Sequence, residues 1–354
     1  MKVAIVGLPQ SGKSMVFSAV TEQPHDPYAP PEPRHGMVHV PDHRLEFLAK
    51  LCKPRKIVEA TIEVVDFPGF SIDTPKGQQD MRRLLPEVHL AELLAVVVRD
   101  FENDSVPAYK DRIDPEADLA EFWDELIFAD LDAVTTRIER LEKSLKKPTK
   151  THEHDKREHA LLQHCQEALE ANKPISTAIS TEEDAKVVAS FAFLTQKPML
   201  CIRNVSDDQA STEKDIPSDH LEASVTLSAS IEAEIATLEP GDRAAFLADL
   251  GLKEPARDRL VRCCYEACGL ISFLTMNPEA VTAWAITKGT TAVEAAGKVH
   301  TDFAHGFIRA ETISYDELVA CGDMKNARAA GKVRKEGKGY VVQDGDVINI
   351  LSSA

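Results

Sequence analysis

The chain has 354 residues, 43% of them hydrophobic, and a formal charge of −17 at pH 7. That length and apolar content suffice for two or three domains with cores of their own. The acidic balance excludes a surface given over as a whole to nucleic acid, and no apolar run approaches the ~18 residues of a membrane span. Met1 leads directly into the first strand and leaves no room for a signal peptide, so a cytoplasmic location is expected. The seven cysteines are scattered and odd in number, unlike a disulfide framework.

Lys2 to Val6 reads as a buried strand, and Ser14 to Val20 has the spacing of a short helix packed on a sheet. Between them Gly7-Leu8-Pro9-Gln10-Ser11-Gly12-Lys13-Ser14 satisfies the phosphate-loop pattern G-x-x-x-x-G-K-[ST] at every fixed position. A polyphosphate carries dense negative charge that backbone N–H groups, a helix N-terminus and a flexible cation surround closely. Gly7 and Gly12 let the backbone approach, and Gln10, Ser11 and Met15 belong to the same cradle. Lys13 is expected to reach the terminal phosphates and the Ser14 hydroxyl to ligate Mg²⁺.

Gln23 to Pro41 carries six prolines and reads as an exposed connecting loop, the place of the first switch in a phosphate-loop fold. After a helix from about His43 to Leu51, a strand from Glu59 to Val65 delivers Asp66-Phe67-Pro68-Gly69. An acid at a strand end, three residues before a glycine, fits the second nucleotide motif. Asp66 is expected to hold Mg²⁺ through water and the Gly69 N–H to meet the γ-phosphate, which makes both candidates for the catalytic step. Leu93 to Val98 is a continuous apolar run, as in a parallel strand covered on both faces.

From about Pro115 the character changes. Ile127, Leu131, Val134, Ile138, Leu141 and Leu145 repeat at alternating steps of four and three, a coiled-coil seam that Lys146-Lys147-Pro148-Thr149 breaks. A helix from about His152 to Ala171, with Leu161, Cys165 and Ala168 on one side, returns antiparallel to the first. His152, His154 and His159 read as solvated helix residues. A shorter helix, Glu182 to Thr195, leads to a buried strand from Pro198 to Ile202, so the helical segment is inserted into the nucleotide domain.

That strand delivers Arg203-Asn204-Val205-Ser206-Asp207, where such folds read the base. Guanine-specific members have Asn-Lys-x-Asp there, and Val205 stands in place of the Lys. Asn204 is expected on the Hoogsteen edge of a purine. The next strand, Ser224 to Leu227, ends in Ser228-Ala229, whose backbone N–H groups are expected to approach the base. A helix from about Pro255 to Leu270 follows; its Cys264 and Cys268 lack the second ligand pair of a metal site. Short strands come next at Ala283 to Ile286, Phe307 to Thr312, and Tyr340 to Val342 joined to Val347 to Ile350 by the tight turn Gln343-Asp344-Gly345-Asp346, with a helical stretch near Thr291 to Ala296. Lys325 to Lys338 holds six basic residues against Glu336, so any polyanion contact belongs to this end.

With these residues in view the chain resembles the YchF, or Obg-like ATPase, family from end to end. The phosphate loop, Arg99-Asp100-Phe101-Glu102-Asn103-Asp104 and Ser230-Ile231-Glu232-Ala233-Glu234-Ile235 are similar to that family. Thr301-Asp302-Phe303, Gly306 to Glu311 and Tyr340 to Asp346 resemble its TGS domain, a ubiquitin-like β-grasp module. The fold expected is an α/β P-loop domain in two parts, 1–114 and 197–279, interrupted by an antiparallel helical coiled coil, 115–196, and followed by an α+β TGS domain, 280–354. The resemblance implies a Mg²⁺-dependent ATPase that binds ATP in preference to GTP, with a ribosome or ribosomal RNA as partner through the TGS end. A monomer with no membrane partner is expected. The competing reading is a nucleotide-binding regulatory module with little or no hydrolysis.

Departures from the family concentrate where hydrolysis occurs. Pro30 replaces a switch Thr, Ala108 replaces a His proposed to help catalysis, and Phe70 to Lys76 replaces a glycine-rich switch. Gln10 stands where the family carries Asn, and Asp207 where it carries Glu. Binding is expected to be intact and turnover slow. Arg99 is placed either to reach the γ-phosphate or to pair with Asp100.

Overall fold

The computed structural model describes residues 1–26, 30–69, 75–146 and 151–353. The chain begins with β1 (Lys2–Val6), α1 (Lys13–Thr21), β2 (Arg34–His39), α2 (Arg44–Cys52), β3 (Lys56–Val58), β4 (Thr61–Asp66), α3 (Pro75–Val88) and β5 (Leu93–Asp100). Then come α4 (Pro115–Leu145), α5 (His152–Glu170), α6 (Glu182–Val188), β6 (Met199–Val205), β7 (Ala223–Leu227), α7 (Ala229–Thr237), α8 (Pro240–Asp249) and α9 (Ala256–Ala267). Two compact units form, one from residues 1–36 with 64–257 and the other from 37–63 with 258–354. No helix among the described residues is long and apolar enough to cross a membrane.

The first unit is built on a sheet ordered β2-β4-β1-β5-β6-β7, in which β1, β5, β6 and β7 pair in parallel. Every residue of β5 except Asp100 is buried, the pattern of a strand with helices on both faces. β2 lies inside the stretch expected to be loop. Its residues begin just after Pro33, where no ring blocks a ladder hydrogen bond, and Gly36 and Val38 turn inward with the period of a half-buried strand.

α4 and α5 run antiparallel, as three cross-links of nearly constant residue sum require: Trp123 to Asn172 at 2.9 Å, Arg137 to Glu158 at 2.7 Å and Ser144 to Asp155 at 3.1 Å. Ile127, Val134, Ile138 and Leu141 of the seam are buried against Leu161, Leu162 and Cys165, in one core that continues to Val96 and Val98 of β5. The helix expected from Glu182 to Thr195 stops at Val188. Asp130, buried on α4, accepts the N–H groups of Leu194 and Thr195 and the Thr195 hydroxyl, which folds that end into a short 3₁₀ turn. Burial pushes the Asp130 carboxyl up while these hydrogen bonds oppose it. Residues 70–74 of the expected switch Phe70 to Lys76, and 147–149 of the expected helix break Lys146 to Thr149, lie outside the described residues.

The second unit adds β8 (Leu270–Met276), β9 (Ala280–Thr287), α10 (Ala292–Val299), α11 (Thr301–His305), β10 (Phe307–Ser314), α12 (Tyr315–Cys321), α13 (Met324–Ala329), β11 (Arg334–Glu336) and β12 (Asp346–Ser352). Its sheet is ordered β11-β10-β12-β8-β9-β3, and Ala292, Ala295 and Ala296 of α10 pack on Phe273, Ile286, Phe307 and Ile348. β8 falls in the interval read as nucleotide domain, yet it pairs antiparallel with β9 and parallel with β12. β3, more than two hundred positions earlier in sequence, pairs with β9 through Lys56 opposite Ala280. The hairpin expected at Asp344-Gly345 does not form. Both edges of β12 are occupied by β10 and β8, so Tyr340 to Val342 finds no edge and keeps one bridge, Val341 to Thr291. The turn is held from elsewhere: Ser272 N–H donates to Asp344 at 2.9 Å, and Arg44 donates to Asp344 at 2.8 Å.

Candidate nucleotide site

The loop from Gly7 to Gly12 joins β1 to α1 and borders a cavity of about 700 Å³. Gly7 has φ 140°, and a Cβ there would stand 2.5 Å from the Val97 carbonyl oxygen; at Gly12, with φ 90°, it would stand 2.2 Å from Asn204 Nδ2. The two glycines are therefore sterically required. Gln10 holds φ 63° with a side chain, a conformation that Asn tolerates better than Gln.

Lys13 is buried, and its Nζ donates to the Leu8 carbonyl at 2.6 Å. Burial pulls its pKa down from 10.5 to about 8, against the attraction of Asp66. Asp66 is buried at the end of β4. Its carboxyl is pushed up by burial and drawn down by a hydrogen bond from Ser14 and by the charges of Lys13 and Arg34. Asp66 Oδ1 is buried and accepts no hydrogen bond from the described residues. A buried ammonium resting on a carbonyl and a carboxylate oxygen without a donor suit a polyanion and a divalent cation arriving together. Gly69 lies against the loop, where a Cβ would come within 2.8 Å of Pro9 Cα and 3.0 Å of Lys13 Nζ.

At the other end, β6 and β7 deliver the predicted base segment. Gln10, Gly12, Lys13, Ser14, Met15, Gly69, Asn204, Val205, Asp207 and Ala229 line the cavity, while Gly7, Ser11, Asp66 and Ser228 are not among its lining residues. Asn204 lines the cavity, and its amide is held from two sides. Its Nδ2 donates to the Ser11 carbonyl at 3.1 Å and its Oδ1 accepts the Ala229 N–H at 3.1 Å, because at 4% exposure both groups need partners. It ties the phosphate loop to the start of α7. Asp207 Oδ1 accepts hydroxyls from Ser228 and Ser230, and its Oδ2 accepts nothing from the described residues.

Arg99 neither faces the cavity nor pairs with Asp100, which instead binds Arg203 at 2.8 Å. The Arg99 guanidinium, 3% exposed, donates to the carbonyls of Gln10, Phe101, Val106 and Pro107 and stacks 4.6 Å from the Phe101 ring centroid. It thereby pins the loop after β5 to the phosphate loop. Phe101, Glu102, Asn103 and Val106 of that loop form a cavity wall, as does His25 after α1. Sequence reading did not assign them to the site. The family resemblance of Phe101 to Asp104 was a signal for the first group; nothing local marked His25. Ala108 is not on the wall.

The chain is 38% identical to the ribosome-binding ATPase YchF of Bacillus subtilis strain 168, over 99% of this chain and 98% of that one. This chain belongs to the YchF family. It is 36% identical to the protein of the same name from Escherichia coli O157:H7, over 99% and 98% of the two chains. The solved structure of the Schizosaccharomyces pombe YchF GTPase matches with a TM-score of 0.85 at 27% identity, covering 99% of this chain and 97% of that one. The family model described as "YchF-GTPase_C: Protein of unknown function (DUF933)" matches residues 270–352, a span that begins at β8.

Proposed function

We propose that this chain is a cytoplasmic, ribosome-associated nucleoside triphosphatase that binds and hydrolyses ATP in the cavity beside the phosphate loop. The observation that carries the reading is buried Lys13 within the electrostatic reach of buried Asp66, whose Oδ1 has no donor among the described residues. Lys13 releases the Leu8 carbonyl to neutralise the terminal phosphates, and the N–H groups at the start of α1 bind the rest of the chain of phosphates. Ser14 and Asp66 fit as the residues that hold Mg²⁺, since an orphaned buried carboxylate oxygen is what such an ion satisfies. When bound, that ion neutralises charge on the β- and γ-phosphate oxygens.

The base end supports adenine over guanine. Guanine presents two N–H donors that a carboxylate meets with both oxygens, whereas one oxygen of Asp207 is held by Ser228 and Ser230. Adenine's single amino group needs only the other. GTP remains a weaker second ligand, disfavoured by less than the ~100-fold that about 2.7 kcal/mol supports.

The name of the bacterial relatives supports the ribosome as partner. In the second unit Arg328 is paired with Glu311, Lys332 with Glu317 and Arg334 with Asp346, while no carboxylate among the described residues pairs with Lys325, Lys335 or Lys338. Within Lys325 to Lys338, those three lysines are the charges left for an RNA backbone. The test of the central reading is a single-turnover assay on the wild type with ATP and GTP in competition. Conversion of bound ATP to ADP is expected; retention of unchanged ATP would favour the regulatory module, and a strong GTP preference would refute the base reading.

A further inference from the structure

We infer that His25 is the side chain that holds the attacking water for hydrolysis in this chain. This rests on the reading of the cavity as an ATP-hydrolysing site and deepens it. His25 lies on the wall of the same cavity as Pro9, Lys13, Ser14 and Gly69. Lys13 is committed to phosphate charge and Ser14 to the metal, and Gly69 and Pro9 offer no side-chain acceptor. The His25 ring is exposed, and no described residue hydrogen-bonds it.

The backbone that carries His25 is held in place. The Gln23 N–H closes the end of α1 on the Ser18 carbonyl at 3.1 Å, and the Gln23 amide donates to the His35 carbonyl at 3.2 Å. Arg34, stacked over Phe17 at 5.0 Å, donates to the Pro24 carbonyl at 3.1 Å, one residue before the histidine. Gly36 permits this contact between β2 and α1, since a Cβ there would stand 2.5 Å from Thr21 Cγ2. A side chain presented from a pinned segment into a phosphate cavity is the arrangement that positions a nucleophile.

The step it serves balances simply. The water oxygen bonds to the γ-phosphorus as the bond from that phosphorus to the β,γ-bridging oxygen breaks. The electron pair leaves on the terminal phosphate oxygen of ADP, and the water proton passes to a γ-phosphoryl oxygen to give inorganic phosphate. An imidazole nitrogen accepting a hydrogen bond from the water fixes its line of attack.

The test measures ATP affinity by calorimetry and the single-turnover rate for the wild type, His25→Ala and His25→Gln. Loss of a positioned hydrogen-bonding group is expected to slow His25→Ala by about 100-fold, with ATP affinity within about threefold, since ground-state binding does not use the group. His25→Gln, which keeps an acceptor at similar reach, is expected to recover at least tenfold of that loss. A His25→Ala rate within twofold of the wild type, or parallel losses of rate and affinity, overturns the inference while leaving the site reading intact. A wild type that binds no ATP refutes the site reading itself, and the inference with it.

Discussion

Replacing Asn204 by Ala removes the side chain that ties the two halves of the nucleotide site. The Ser11 carbonyl and the Ala229 N–H lose their partner together, and both residues are at most 3% exposed, so water replaces the amide poorly. An orphaned buried donor or acceptor costs roughly 1–3 kcal/mol, which for the two groups puts the loss of folding stability at about 2–6 kcal/mol. ATP affinity is expected to fall as well, because the loop and the start of α7 lose their common anchor. Asn204→Asp separates the two ends of the tie. Its carboxylate still accepts the Ala229 N–H but faces the Ser11 carbonyl with a second acceptor, so it is expected to be destabilised at neutral pH and to recover as acid protonates the carboxyl into a donor. The assay is denaturant unfolding of wild type, Asn204→Ala and Asn204→Asp at neutral and mildly acidic pH, with ATP titrations alongside. An Asn204→Ala variant within 0.5 kcal/mol of wild type, or an Asp variant with no pH dependence beyond that of wild type, refutes this account of Asn204.

Three further outcomes follow from the same geometry. Burial pulls the Lys13 pKa down from 10.5 to about 8, so its burial penalty is fully present below pH 8 and is lost as pH rises from there to 10.5. Phosphate restores the charge, and ATP binding at pH 9 is therefore expected to take up close to one proton that binding at pH 6 does not; calorimetry in two buffers of different ionisation enthalpy reads this, and equal uptake at both pH values contradicts it. Gln10→Asn relieves a left-handed backbone at φ 63° and is expected to stabilise by a few tenths to about 1 kcal/mol in denaturant unfolding, with a lower midpoint refuting the strain. Changing Lys325, Lys335 and Lys338 together to Glu is expected to abolish the salt-sensitive part of ribosome co-sedimentation, whose slope in log affinity against log salt should be about −2 to −3 for three phosphate contacts; undiminished binding points to another surface. Deleting 280–354 would be a poorer test, since it strips β9, β10, β11 and β12 from the sheet that also holds β8 and β3.

The sequence by itself determined what is encoded locally. The fixed spacing of Gly7, Gly12, Lys13 and Ser14 needs only the chain between β1 and α1, the uniform apolar run of β5 reports burial on both faces, and the seam on α4 follows from helical periodicity. Tertiary structure decided everything that depends on who sits beside whom. β8 was hidden behind the helix that ends before Gly269, and β3 has only three residues, so its partner 224 positions away in β9 is what makes it a strand. The Asp344-Gly345 signal was real, with φ 77° at Gly345, but the edges of β12 were already taken, and a turn residue cannot choose its strand's neighbours. The same holds in the site. Asn204 was recognised from its motif, yet its role follows from the burial of Ser11 and Ala229. Arg99 sits beside Asp100 in sequence, but on a strand successive side chains point to opposite faces, which sends one to the loop carbonyls and the other to Arg203. His25 lines the cavity, and the backbone beside it is held by contacts from β2 between residues ten and twelve positions apart that no local pattern records.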